Sequence, residues 1–197
     1  EMGLPVKEDT FLVGIVSRMT DQKGFDLVAY MMDEMLSTLD IQFVVLGTGE
    51  DRYQDMFRLF QNKYPDKLCA HIGYSEDYAH RIYASCDAFL MPSLFEPCGL
   101  SQMMAMRYGT VPIVRETGGL KDTVEAYNEY EHTGTGFSFS NYNAHEMFFV
   151  LKYAMGIYND RRRDWEGIMK RAIEKDFSWN ASAKKYEALY DSLCEQK

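Results

Sequence analysis

Short β-branched and aromatic runs alternate with longer stretches in which apolar residues recur every third or fourth position. The short runs predict six strands, at residues 11–17 (FLVGIVS), 42–46 (QFVVL), 68–73 (LCAHIG), 88–92 (AFLMP), 111–114 (VPIV) and 136–139 (GFSF). Between the first two, Val28, Met31, Met32, Met35, Leu36 and Leu39 mark one buried face of a helix. Methionine fills irregular gaps, so this stripe predicts core rather than a ligand site. Ser75 before Glu76 and Asp77 predicts a helix start, as does Asn143 with Glu146 three positions later, the spacing of a capping box. Gly109, just before Val111 and Pro112, predicts a helix stop. The last third reads as helices over residues 144–158, 161–175 and 182–194, the last with Tyr186, Leu189, Tyr190 and Leu193 on one face. Strand and helix alternating through about residue 140 predicts an α/β fold, a mostly parallel sheet with helices on both faces followed by C-terminal helices.

Composition narrows what such a sheet could serve. The chain has 197 residues, of which 46% are hydrophobic and 26% charged, enough for one domain with a substantial core. The 21 Lys and Arg against 30 Asp and Glu leave a formal net charge of -9, which argues against a nucleic-acid partner. An anionic ligand would have to be held by a local arrangement. No run of about 18 apolar residues predicts a membrane span, so no membrane partner is expected. The four cysteines include no CxxC pair, and His71, His80, His132 and His145 are scattered, so no metal site is expected and reduced thiols are. The run of Arg161, Arg162 and Arg163, flanked by Asp160 and Asp164, reads as a solvated helix start. An apolar strand already under way at residue 11, after an opening Glu1, reads as a piece of something longer.

In an open parallel sheet, ligands bind beyond the carboxyl ends of the strands. The segments that follow them here are RMTDQKG (residues 18–24), GTGE (47–50), Tyr74, SLFEPCGLSQ (93–102) and ETGGL (116–120). Any one of these could be an ordinary turn; five on the same edge favour a site. Arg18 and Lys23 stand in one loop, able to aim two cations at one anionic group. Gly99 lets backbone approach a ligand, and a helix starting near Leu100 would turn free N–H groups toward a phosphate. Tyr74 is either a stacking plate for a base or a half-buried tyrosine with a satisfied hydroxyl. Glu96 is either a site carboxylate or a surface one. GTGEDR departs from the dinucleotide fingerprint at Arg52, and no GxxxxGK[ST] loop is present, so neither a dinucleotide cofactor nor a P-loop phosphotransferase is supported.

At these segments the sequence resembles bacterial glycogen synthases and plant starch synthases, a family of retaining glucosyltransferases built from two facing Rossmann-like domains, the GT-B architecture. The motifs are GIVSRMTDQKGFDL, VVLGTGE, HIGYSEDYAHRIYASCDAFLMPSLFEPCGLSQMMAMRYGTVPIVRETGGLKDTVEAY and GFSFSNYNAHEM, spanning residues 13 to 147. The resemblance implies transfer of glucose from ADP-glucose, with UDP-glucose the second choice, to the non-reducing end of an α-1,4-glucan with retention of configuration. No metal or other cofactor is implied, and the setting implied is the bacterial cytoplasm, or a plastid for a plant protein. By the same resemblance Arg18 and Lys23 match the basic pair on the donor diphosphate, and Glu96 matches the catalytic-loop glutamate. Tyr74 matches the aromatic residue on adenine. Gly99, Leu100 and Ser101 match the loop whose backbone holds phosphate, and Thr117, Gly118 and Gly119 match a glycine turn near the donor sugar and phosphate. Related retaining families carry a second glutamate eight residues after the first, where this sequence has Met104.

The resemblance also implies a division of the chain. Residues 1–10 resemble an interdomain linker, 11–181 the donor-binding domain, and 182–197 a helix that crosses back to an amino-terminal domain carrying the acceptor glucan. On that basis the chain supplies half of an active site and is inactive alone. The alternative is a free-standing nucleotide-sugar binding module without turnover; a flavodoxin-like cofactor protein lacks a phosphate loop of its own.

Overall fold

A computed structural model describes residues 3–194; of the two segments expected to face another domain, Glu1 and Met2 and residues 195–197 lie outside the described residues. Six parallel strands form one sheet: β1 (Phe11–Val16), β2 (Ile41–Gly47), β3 (Leu68–Ile72), β4 (Ala88–Met91), β5 (Val111–Arg115) and β6 (Phe137–Phe139), in the order β3-β2-β1-β4-β5-β6. The chain builds outward from β1 in one direction and then returns to add β4 on its other side. The point of reversal, between the ends of β1 and β4, is where a doubly wound sheet leaves a crevice. All six strands match the predicted ones to within a residue or so at each end.

Helices cover both faces, which is why β2 is buried at every position and reads as a continuous apolar run. On one face α1 (Phe25–Thr38) packs against α2 (Asp51–Lys63) and α6 (Ala144–Asp160). The methionine stripe is core: Met32, Met35 and Leu36 are fully enclosed with Phe25, Phe43 and Phe57. On the other face α3 (Glu76–Ser85) and α4 (Ser101–Tyr108) pack together against the sheet, with the short α5 (Gly118–Thr123) after β5. Helix α7 (Arg162–Glu174) touches both α6 and α4, and its Trp165 sits 5.5 Å from the Phe11 ring and 5.9 Å from that of Phe137.

Capping follows the sequence in part. Ser75 Oγ accepts the Tyr78 N–H at 3.2 Å. Asn143 Oδ1 accepts the N–H groups of His145 and Glu146, yet Glu146 does not complete a capping box. Its carboxylate instead accepts the N–H groups of Ser140 and Asn141, because the Asn143 N–H is already donated to Asn141 O at 2.8 Å. Helix α8 (Trp179–Cys194) begins three residues before the expected 182 and buries none of its side chains. Tyr186, Leu189, Tyr190 and Leu193 are exposed on it. No helix among the described residues is long and apolar enough to cross a membrane.

Candidate functional site

Two loops meet at the reversal of strand order. The one after β1 carries Arg18 and closes in a 3-10 turn, Asp21–Lys23. The one after β4 carries Ser93, Glu96 and Gly99 and feeds into α4. They are stitched together by Leu94 N–H to Gln22 O at 3.0 Å and, between side chains, by Lys23 Nζ to Glu96 Oε2 at 2.5 Å. Glu96 is buried, the Ser93 hydroxyl donates to the same oxygen at 3.4 Å, and Oε1 has no protein partner among the described residues. Glu96 is therefore a held, inward carboxylate with one free oxygen rather than a surface one. Lys23 is engaged with it, so the two cations of the first loop are not aimed at one group. Arg18 is exposed, and its guanidinium has no partner among the described residues.

The first loop is anchored from the side. The Met19 N–H reaches Thr48 O at 2.9 Å and the Glu50 N–H returns to Met19 O at 2.9 Å, tying it to the segment after β2. Arg52, the residue that breaks the dinucleotide fingerprint, donates from Nη2 to both carboxylate oxygens of Asp21 at 2.7 Å, and the Tyr53 hydroxyl donates to Asp21 as well. Those two donors, Tyr53 first, hold the Asp21 carboxyl below its ordinary pKa. The Tyr142 hydroxyl donates to Asp26 and lies 3.1 Å from Asp21 O, and burial followed by the hydrogen bond to Asp26 raises its pKa.

The second loop is shaped from below. Gly118 (φ 44°) and Gly119 press against it so closely that a Cβ on either would collide with Glu96 O or Cys98 O. The Gly119 N–H is donated to Glu96 O at 3.1 Å and to Pro97 O at 3.2 Å. The turn of Thr117, Gly118 and Gly119 thus supports the glutamate loop, and its Gly119 donor is spent on that. Arg115 reaches the Ser93 and Leu94 carbonyls at 3.3 and 3.0 Å, and its guanidinium lies 5.5 Å over the Tyr142 ring. Gly99 sits at φ 71°, Leu100 is exposed, and Ser101 opens α4 with its Oγ accepting the Tyr83 hydroxyl at 3.2 Å. The N–H groups of Gly99, Leu100 and Ser101 have no acceptor among the described residues. That leaves three successive free donors of the kind that bind anions at a helix start.

Tyr74 follows β3 and is 86% exposed, so its ring is neither packed nor spoken for. No contact joins it to the other candidates; two strand spacings, about 10 Å, separate the ends of β3 and β1. The structure thus brings together Lys23, Glu96, the Thr117-to-Gly119 turn and the start of α4, with Arg18 on the facing loop and Tyr74 further along the same edge. Met104, eight residues after Glu96, is exposed on α4. The histidines serve elsewhere: His80 Nδ1 pairs with the Tyr108 hydroxyl at 3.1 Å and His132 with Asp164 at 3.1 Å.

Sequence reasoning missed Arg115, Tyr142 and Gln102. An arginine ending an apolar strand on the ligand edge was a usable signal for the first, and a glutamine three residues after Gly99 for the third. Nothing local pointed to Tyr142.

Residues 3–165 match the glycosyl transferases group 1 family. The chain belongs to that family. Within it, the chain is 64% identical to a glycogen synthase of Lachnospira eligens and 53% identical to one of Clostridioides difficile, covering 98% of this chain and 40% of each relative. The chain therefore spans about two fifths of the length of the curated relatives it matches. The solved catalytic domain of starch synthase IV from Arabidopsis thaliana, bound to ADP and acarbose, superposes with a TM-score of 0.86 at 35% identity over 97% of this chain and 40% of that one. As a group 1 glycosyl transferase, the chain has the Rossmann-like sheet of a GT-B catalytic domain, and the crevice between β1 and β4 is where Lys23, Glu96, the Thr117-to-Gly119 turn and the start of α4 meet.

Proposed function

We propose that this chain is the donor-nucleotide half of a glycogen synthase, which transfers glucose from ADP-glucose to the non-reducing end of an α-1,4-glucan with retention of configuration. The observation that carries the reading is the crevice itself: a buried, lysine-held Glu96 with one free oxygen and three unpaired N–H groups at the start of α4, with an unpartnered Arg18 on the loop that supplies the lysine. The similarity to glycogen synthases over 98% of the chain supports it, as does ADP in the starch synthase relative.

Each group has a task in that reaction. Breaking the bond between glucose and phosphate gathers negative charge on the departing ADP and positive charge on the anomeric carbon. Arg18 and the N–H groups of Gly99, Leu100 and Ser101 stabilise the first, preorganised so that little rearrangement is needed as the charge develops. In this reading no metal cofactor is required. Glu96 Oε1 takes a hydroxyl of the glucose or faces the developing positive charge, while Lys23 on Oε2 holds the carboxylate in place. Tyr74 stacks on adenine, further along the rim. The acceptor glucan is held by the portion of the relatives that this chain does not span, and the isolated chain does not turn over. The bacterial sources of the two glycogen synthases support a cytoplasmic setting.

The test is transfer of labelled glucose from ADP-glucose to glycogen by the full-length protein and by its Arg18→Ala and Glu96→Gln variants. Both variants should lose rate by at least tenfold with little change in glycogen affinity. Full turnover in both would overturn the assigned roles.

A further inference from the structure

Gln102 is fully enclosed, on the first turn of α4, yet its side chain is not satisfied. Nε2 lies 3.2 Å from Cys98 O, 2.9 Å from Gly99 O and 3.0 Å from Thr123 Oγ1, while Oε1 is buried with no partner. The amide cannot be turned over. The two carbonyls only accept, and the Thr123 hydroxyl is already donated to Gly119 O at 2.6 Å. An enclosed acceptor without a donor is costly, and an apolar residue of the same length would fill the space without that cost. The glutamine is there for its N–H donors, whose two hydrogens serve these three acceptors, one of them shared.

Those bonds fix the direction of the loop. In a trans peptide unit the C=O of one residue and the N–H of the next point opposite ways. Holding the Cys98 and Gly99 carbonyls down toward Gln102 therefore turns the N–H groups of Gly99 and Leu100 up and out, and neither has an acceptor among the described residues. Gly99, at φ 71°, adopts the backbone this requires, and a Cβ there would stand 2.5 Å from Gln102 Oε1. We infer that Gln102 is a positioning residue which aims the Gly99 and Leu100 N–H groups at the phosphates of a nucleoside diphosphate, setting the site's preference for the diphosphate over the nucleoside without touching either. The inference rests on the donor-site reading above.

The experiment compares binding of ADP and of adenosine to the unaltered chain, Gln102→Met and Gln102→Glu. Both variants keep the length of the side chain and remove the paired N–H donors. Each should weaken ADP by roughly tenfold or more and leave adenosine within about twofold, because only the phosphates feel the loop N–H groups. ADP bound as tightly by Gln102→Met as by the unaltered chain would overturn the inference alone, and so would equal losses for ADP and adenosine, the mark of a merely structural role. No ADP binding by the unaltered chain would overturn the donor-site reading and this inference with it. Should neither variant fold, amide NMR of the unaltered chain decides: the Gly99 and Leu100 resonances should move with ADP and stay put with adenosine. ADP binding that leaves both resonances unmoved would overturn the inference.

Discussion

Lys23 Nζ lies 2.5 Å from Glu96 Oε2, with the two side chains only 16% and 9% exposed, and so joins the loop after β1 to the loop after β4 across the reversal of the sheet. Taking two charges that far out of water is repaid only by close pairing and further hydrogen bonds, here from Ser93. Removing either partner strands the other. Lys23→Met and Glu96→Gln should each lower the unfolding free energy by about 1–3 kcal/mol, and the double variant should cost clearly less than the sum. Denaturant unfolding of the four proteins measures this; additive effects would mean the pair is not coupled.

Gly99→Ala adds a methyl group where φ is 71° and where Gln102 Oε1 would be 2.5 Å away. The left-handed backbone alone costs a non-glycine residue about 1–2 kcal/mol. The variant should lose at least that much stability and bind ADP more weakly, because relieving the clash rotates the loop N–H groups. An unchanged melting temperature would show that the loop is softer than its geometry implies.

Asp21 gives a pH dependence with a definite sign. Tyr53 and Arg52 depress its pKa in the folded chain, so the unfolded chain binds more protons as pH falls. The stabilisation is complete above the ordinary carboxylate range of about 4 and is lost as pH drops through the depressed value. The melting temperature of Asp21→Asn should thus lie below that of the unaltered chain at pH 7, and the gap should close in acid. A gap that widens on acidification would contradict the assignment.

Helix α8 offers a different test. Tyr186, Leu189, Tyr190 and Leu193 are each more than half exposed, and the Tyr186 and Tyr190 rings lie 6.5 Å apart on the helix's own surface. Serine at any one of them should change the stability of this chain by no more than about 0.5 kcal/mol. A larger loss on chemical unfolding would mean that the helix folds back on the domain.

Much of this was written in local patterns. Residues such as Phe43, Val44 and Val45 predict a strand buried on both faces, and the Met31, Met32 and Met35 stripe predicts the helix that covers it, because both depend on periodicity alone. The rim was legible for the same reason: it is whatever follows each strand. What stayed hidden depends on pairings across the sheet. Lys23 and Glu96 are 73 residues apart and meet only because β4 docks on β1, which makes Glu96 a buried carboxylate and diverts Lys23 from Arg18. Gly119, matched by resemblance to a turn near the donor sugar and phosphate, donates its N–H to the glutamate loop. Tyr142 sits on a loop 121 residues from the Asp21 carbonyl it holds, beyond the reach of any local rule.

The most direct test is a calorimetric titration of ADP into this chain and into its Arg18→Ala and Tyr74→Ala variants. Both side chains are exposed and make no packing contact whose loss would unfold the domain. The unaltered chain should bind one ADP, and each variant should bind it about tenfold more weakly, as expected for one charge-assisted contact or one stacked base. No heat of binding in the unaltered chain, or the same affinity in all three proteins, would contradict the account.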